Sequence, residues 1–222
     1  MARRSSEERD ETRRALKRAA RRLFAERGVD GVAVREIVLA AGQRNSGALH
    51  YYFGTKDELV RELVLDGAKL IDDARQKLLD EIEARGGPTT VRDIVYALVL
   101  PNFALQGDSG EEDTYLRFIR ALQASHLALF REILDERWAQ GYQRCLAHLR
   151  RLLAPMEPER INQRLVFMGL SMQAILAARE AALDTNGHRP HPFWNAPYTT
   201  ESIVDAVQAL LEGRPSEEAD QS

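Results

Sequence analysis

Along almost the whole chain apolar residues recur at steps of three and four, and no segment shows a persuasive two-residue alternation of a strand. The pattern predicts an all-α protein. Over residues 7–27, Leu16, Ala19, Ala20, Leu23 and Phe24 mark one helical face, and Gly28 is its expected stop. A second helix of about two turns carries Val34, Ile37, Val38 and Ala41 and ends at Gly42. A third, short helix begins near Ser46. With Leu49 set inward, a step of about 100° per residue brings Phe53 and Asn45 toward the same side and turns Gly47 and Tyr51 outward, flanked by Arg44, Ala48 and His50.

Thr55 and Glu58 are spaced as a capping box and open a long helix. Leu59, Val60, Leu63, Val64, Leu70, Ile71, Ala74, Leu78 and Ile82 keep its period until "RGGP" at 85–88. Helices are then expected over 90–105, 112–125, 128–153, 158–183 and 200–211. The breaks carry Gly, Pro, Asp and Asn; Pro158 suits a first helical turn, Thr199 or Thr200 a cap, and the tail 215–222 reads as disordered.

With 44% hydrophobic and 29% charged residues, the 222-residue chain has ordinary globular composition and room for one or two cores. No run of apolar residues approaches the roughly 20 that cross a bilayer, and the first residues lack the apolar segment of a signal peptide, so a cytoplasmic location is expected. Cys145, the single cysteine, excludes an internal disulfide framework and a thiolate zinc site, and is expected as a small buried hydrophobe. Charge changes sign along the chain: residues 1–60 carry +4 and the remainder −7. A basic end suggests contact with a polyanion, although charged helix faces are often merely solvated.

Three short helices with a tight Gly turn between the second and third fit a helix-turn-helix, whose second element enters the major groove of DNA. The segments "AARRLFAERGVDGVAVREIVLAAG", "SGALHYYF" and "GTKDELV" follow one another in the order and spacing of the TetR family of bacterial transcriptional regulators, which this chain resembles over residues 10–64. The resemblance implies an N-terminal DNA-binding domain (1–60) followed by a larger helical ligand-sensing and dimerisation domain (61–214). It places Arg44, Asn45, Ser46, Gly47, Ala48 and Tyr51 where base edges are approached, and His50, Tyr51, Tyr52 and Lys56 where phosphates are held. Arg35 is either a DNA contact or a surface ion pair, and the Arg3-Arg4 and Arg13-Arg14 pairs are either a basic arm or solvated charge. One extra residue between Gly42 and Phe53, relative to common members, leaves the register of Gln43 to Ser46 open, and Ala33 replaces a frequent Ser or Thr.

The family forms dimers through its last two helices. Leu165, Met168, Met172, Ile175, Ile203, Val207 and Leu210 are the interface candidates, with the monomer core as the alternative for Leu165, Met168, Met172 and Ile175. Phe103, Tyr115, Phe118, His126, Phe130, Trp138, Tyr142, Phe167 and Met172 are candidates for lining a ligand cavity; most of them are expected in ordinary core. The resemblance thus implies a repressor released from a palindromic operator by a small hydrophobic molecule.

Enzymatic signals are weak. His188 and His191 form an H-x-x-H in a Pro-rich loop without a third ligand, "GDSGEEDT" lacks calcium-loop spacing, and no phosphate loop or nucleophile elbow is present. The expectation is no catalysis, no metal and no cofactor. The rival readings are a helical protein-interaction scaffold without DNA binding, and a helical-bundle enzyme built on His126, His148 or the H-x-x-H.

Overall fold

Residues 2–45, 47–105, 114–134, 139–185 and 191–213 are described in the computed structural model. Among them every regular element is helical: α1 (Ala2–Arg27), α2 (Val34–Ala40), α3 (Ala48–Phe53), α4 (Lys56–Ala84), α5 (Val91–Val99), a 3-10 turn (Leu100–Leu105), α6 (Tyr115–Leu134), α7 (Gln140–Leu152), α8 (Pro158–Thr185) and α9 (Thr199–Glu212). The tail 215–222 and most of the acidic loop lie outside the described residues, as does His188. The chain divides into two units, Met1–Leu70 with Leu105–Trp138, and Ile71–Ala104 with Ala139–Ser222.

In the first unit α1 starts five residues before the expected position 7, because its leading turns are polar and leave no periodic signal. Leu16, Ala19, Ala20 and Phe24 are buried, and Gly28 ends the helix at φ +72°. α6 packs along α1, with the Phe24 and Phe118 rings 6.0 Å apart. The Tyr115 hydroxyl donates to the Val64 carbonyl at 2.9 Å, and Gly67 lets that ring approach α4, since a Cβ there would lie 2.3 Å from it. The break expected near residues 125–128 is present as a kink between two helical segments. α6 continues to Leu134 and departs from helical geometry only at His126, whose ring is 3.0 Å from Asp30 Oδ2 in the α1–α2 turn.

In the second unit α5, almost wholly buried, packs against α7 and α9, while α8 packs against α9 and α7. Arg92 ties α5 to α9 through Glu201 and Asp205, both at 2.6 Å. The apolar stripe of α4 is displaced from the expected one. Leu70 is exposed, and beyond Ile71 the inward positions include Asp72 and Arg75 before Leu79. Asp72 has a structural partner: its Oδ1 accepts the Gly141 N–H at 2.9 Å, satisfying a free donor at the start of α7, where the Ala139 cap offers no side chain.

Two further expectations are corrected. Neither Thr199 nor Thr200 caps α9; Tyr198 holds that position, and the Thr199 hydroxyl donates to the Phe193 carbonyl at 3.0 Å. By length and composition α8 is apolar enough to cross a bilayer, because its few charged residues sit near its ends and both of its faces carry large apolar side chains.

Candidate nucleic-acid interface

α3 is fixed at both ends by local chemistry. Gly42, at φ +71°, ends α2 with its N–H on the Leu39 carbonyl, and the next N–H, from Gln43, reaches the Val38 carbonyl at 3.0 Å. Asn45 then closes an Asx turn: its Oδ1 accepts the Gly47 N–H at 2.9 Å, and its carbonyl accepts the Ala48 N–H at 3.0 Å. This turn defines the register left open by the extra residue and starts the helix at Ala48. Asn45 therefore lies outside the helix and is exposed, not turned inward with Leu49 as a continuous helix would have it.

At the other end Gly54, at φ +75°, donates to the His50 carbonyl, and the Thr55–Glu58 capping box forms as expected. Leu49 and Phe53 are buried beneath α3. Tyr51 is 68% exposed and meets Tyr52 edge-on at 4.9 Å. Gly47, His50, Arg44 and Asn45 are exposed beside it, Ala48 and Tyr52 are partly covered, and Ser46 lies outside the described residues.

Two residues expected on DNA have internal duties. Lys56 donates to the Val32 carbonyl at 2.7 Å and sits 5.7 Å from the centre of the Phe24 ring, so one of its three N–H groups holds the α1–α2 turn against α4. The His50 Nδ1 lies 2.6 Å from the Gly54 carbonyl; since a carbonyl only accepts, Nδ1 is the donor there and only Nε2 is left to meet another molecule.

The Arg13-Arg14 pair of α1 is engaged, while the side chains of Arg3 and Arg4 lie outside the described residues. Arg13 reaches Glu62 at 2.5 Å and lies over the Phe53 ring, Arg14 and Arg18 share Glu11, and Lys17 bridges Glu62 and Asp66 at 2.9 and 2.7 Å. Arg13 and Arg14 thus belong to helix-to-helix and within-helix ion pairs and do not form an arm. Both Arg18 and Arg14 hold the Glu11 carboxyl below the ordinary carboxylate range. Arg27 pairs with Glu36 at 2.7 Å, and Glu36 in turn accepts the Ala33 N–H, the half of a capping box that does not need a Ser or Thr at position 33. Arg35 is exposed on α2.

The residues expected around a ligand fall in both units. Tyr115, Phe118, His126 and Phe130 belong to the first unit, where Tyr115 and Phe118 are core; Phe103, Tyr142 and Met172 belong to the second; Phe167 is exposed; Trp138 lies outside the described residues. Of the interface candidates, Leu165, Met168, Met172, Ile203 and Val207 are buried inside the single chain, Ile175 is half-buried and Leu210 is exposed. The open apolar residues of α8 are instead Val166, Phe167 and Leu170. The His191 Nδ1 accepts the Phe193 and Trp194 N–H groups at 3.2 Å, a turn-forming role.

Sequence reasoning passed over Asp72 and Arg75. Their signal is positional: with Ile71 and Leu79 they occupy the inward stripe of α4, where a charged residue has to have a reason to be.

Residues 16–63 match the bacterial regulatory proteins of the tetR family, and residues 96–195 match the tetracyclin repressor-like C-terminal domain. The two matches together span two thirds of the chain. No curated protein matches it. Among solved structures, the superantigen PfiT is similar at 18% identity, with 91% of this chain and 97% of that chain covered and a TM-score of 0.48. The TetR family transcriptional regulator PfmR from Thermus thermophilus is similar at 20% identity, with 91% and 100% covered and a TM-score of 0.45.

Proposed function

Because the chain belongs to the TetR family of bacterial regulatory proteins, we propose that residues 1–60 bind a palindromic operator in the cytoplasm and that residues 61–214 pair two copies and sense a small, mostly apolar molecule whose binding relieves repression. One observation carries the DNA reading. A short helix locked from beneath by Leu49 and Phe53 presents an exposed tyrosine, an exposed arginine in its leading turn and a glycine at its start. Such a surface lets a duplex come close, with Arg44 offering the fork that fits guanine O6 and N7 and the Tyr51 hydroxyl a donor for phosphate. Two-fold pairing sets two such helices on half-sites about 34 Å apart. Release by an effector requires that it bind the DNA-incompetent state more tightly than the competent one.

The test is selection from a random duplex library at several salt concentrations, with an Arg44→Ala, Tyr51→Ala double variant in parallel. The expected result is an enriched palindrome, affinity that falls steeply with salt as phosphate counterions are released, and loss of enrichment in the variant. Absence of both sequence preference and salt dependence would overturn the reading and favour a protein-interaction scaffold.

A further inference from the structure

The second unit encloses a guanidinium whose terminal nitrogens have no hydrogen-bond acceptor among the described residues. Arg75, on the inward stripe of α4, is 7% exposed. Its Nε donates to the Ala97 carbonyl of α5 at 3.2 Å, and its guanidinium carbon lies 5.8 Å from the centre of the Tyr142 ring of α7. Its two terminal nitrogens have no acceptor among the described residues, yet neither is a walled-off orphan, so the open end of the fork faces space that solvent reaches. A buried guanidinium carries up to five donors, and leaving most of them unmatched is costly unless something fills the place.

The neighbouring groups do not fill the open end of the fork: Asp72 attracts the guanidinium through space but does not bond to it. Asp72, one turn earlier, has one oxygen on the Gly141 N–H at 2.9 Å and the other on Gln76 Nε2 at 2.7 Å. Burial pushes the Cys145 thiol up to about 12, against the pull of Arg75, so it remains a neutral thiol at neutral pH. Burial likewise raises the Tyr142 phenol, which stays protonated. Burial also disfavours the charged form of Arg75 itself, but an arginine does not deprotonate in a protein. The cation therefore persists.

Two glycines shape the surroundings. A Cβ on Gly141 would lie 3.0 to 3.3 Å from Asp72, Gln76 and Arg75, so α7 can come this close to α4 only with hydrogen there. On α8, Gly169 faces the Tyr142 hydroxyl, 3.3 Å from where its Cβ would be. Met172, one turn on, is buried. Four helices thus bring together a fixed fork, an aromatic face and a buried methionine, with the Asp72 carboxylate to one side of the fork; apolar walls with a few placed polar groups are the usual make-up of a small-molecule site.

We propose that the open end of the Arg75 guanidinium is the anchor of an effector site for a small organic anion, a carboxylate carried on an apolar body that packs against Tyr142. This rests on the reading of the second unit as the sensor and narrows its ligand class from any hydrophobic molecule to an acidic one. The fork geometry favours a planar two-oxygen group over a point charge.

The experiment uses the full chain at fixed ionic strength and measures thermal shifts and calorimetric binding with octanoate, benzoate and salicylate, each beside its neutral amide. Arg75→Met and Arg75→Lys variants are run in parallel, and duplex-DNA binding is measured separately for all three proteins. At least one acid is expected to bind about tenfold to a hundredfold more tightly than its amide. That preference is expected to vanish in Arg75→Met and to return in part in Arg75→Lys. Because Arg75→Met leaves the buried Asp72 without its neighbouring cation, its folding is checked by circular dichroism and by DNA binding, and Arg75→Lys, which keeps the charge, carries the comparison should the Met variant unfold. Acids that bind no better than their amides, or a preference that survives in Arg75→Met, would overturn the proposal. Loss of DNA binding by the unaltered chain would instead overturn the regulator reading.

Discussion

Two glycines bracket α3, and their geometry assigns them different work. Gly54 has φ +75°, and a Cβ there would stand 2.3 Å from Glu58 Oε2, inside the capping box of α4. Gly54→Ala is therefore expected to destabilise the protein by about 1–2 kcal/mol, read by urea denaturation. Gly47 has φ −78°, which any residue adopts, and its Cβ would meet only Asn45 Oδ1, at 3.3 Å. Gly47→Ala should stay within about 1 kcal/mol of the parent yet weaken operator binding, because the methyl group stands where a DNA backbone approaches. Equal affinities for parent and Gly47→Ala in a fluorescence-anisotropy titration would remove Gly47 from the interface. At this scale the sequence was informative wherever a contact is local. Leu49, Phe53 and Tyr51 follow from helical spacing alone. Lys56 does not, because its partner, the Val32 carbonyl, is a backbone atom 24 positions earlier.

Helix ends show the same division. The box of Thr55 and Glu58 is written in adjacent residues and forms as read, and so does one not foreseen, at the start of α5. There Asp93 Oδ2 accepts the Thr90 and Thr89 N–H groups at 2.9 and 3.0 Å, and the Asp93 N–H reaches the Thr90 hydroxyl. Partial burial pushes the Asp93 carboxyl up, but the bonds from Thr90 and Thr89 outweigh it and hold it below the ordinary range. A depressed carboxylate contributes stability above its unfolded pKa of about 3.9 and loses that contribution as pH falls through the folded value. Asp93→Ala should thus cost about 1 kcal/mol at pH 7, with parent and variant converging in urea titrations as the pH is taken below about 3.9. The start of α7 could not be read this way. Its donor is satisfied by Asp72, 69 residues earlier, and no local pattern records a cap supplied from another helix. His126, by contrast, lies where the sequence reading placed a break: the helical segments on either side of it meet there at a kink.

The exposed face of α8 is the point where the single chain is incomplete. Ile161, Leu165, Met168, Met172 and Leu176 face the chain's own core, while Val166, Phe167 and Leu170 remain 58%, 51% and 63% exposed, with Leu210 of α9 also open. A helix apolar on both sides needs a second partner for its outer side, and a cluster of large exposed side chains is unusual for a monomer. Most of the interface candidates chosen from the sequence are buried within the single chain, because a helix with apolar residues all round gives no phase by which to tell its inner side from its outer. In a family whose regulators dimerise, the outer residues are the ones placed to meet a second copy. Leu170→Glu with Phe167→Glu should therefore convert the protein to monomers in analytical ultracentrifugation. Because the replaced side chains lie outside the core, each monomer should keep its helical circular dichroism. Operator affinity should fall far more than in a single-contact variant, since a lone helix-turn-helix loses the second half-site entirely. A dimer that survives both glutamates would show that the copies meet elsewhere, and the apolar outer side of α8 would then need a different partner.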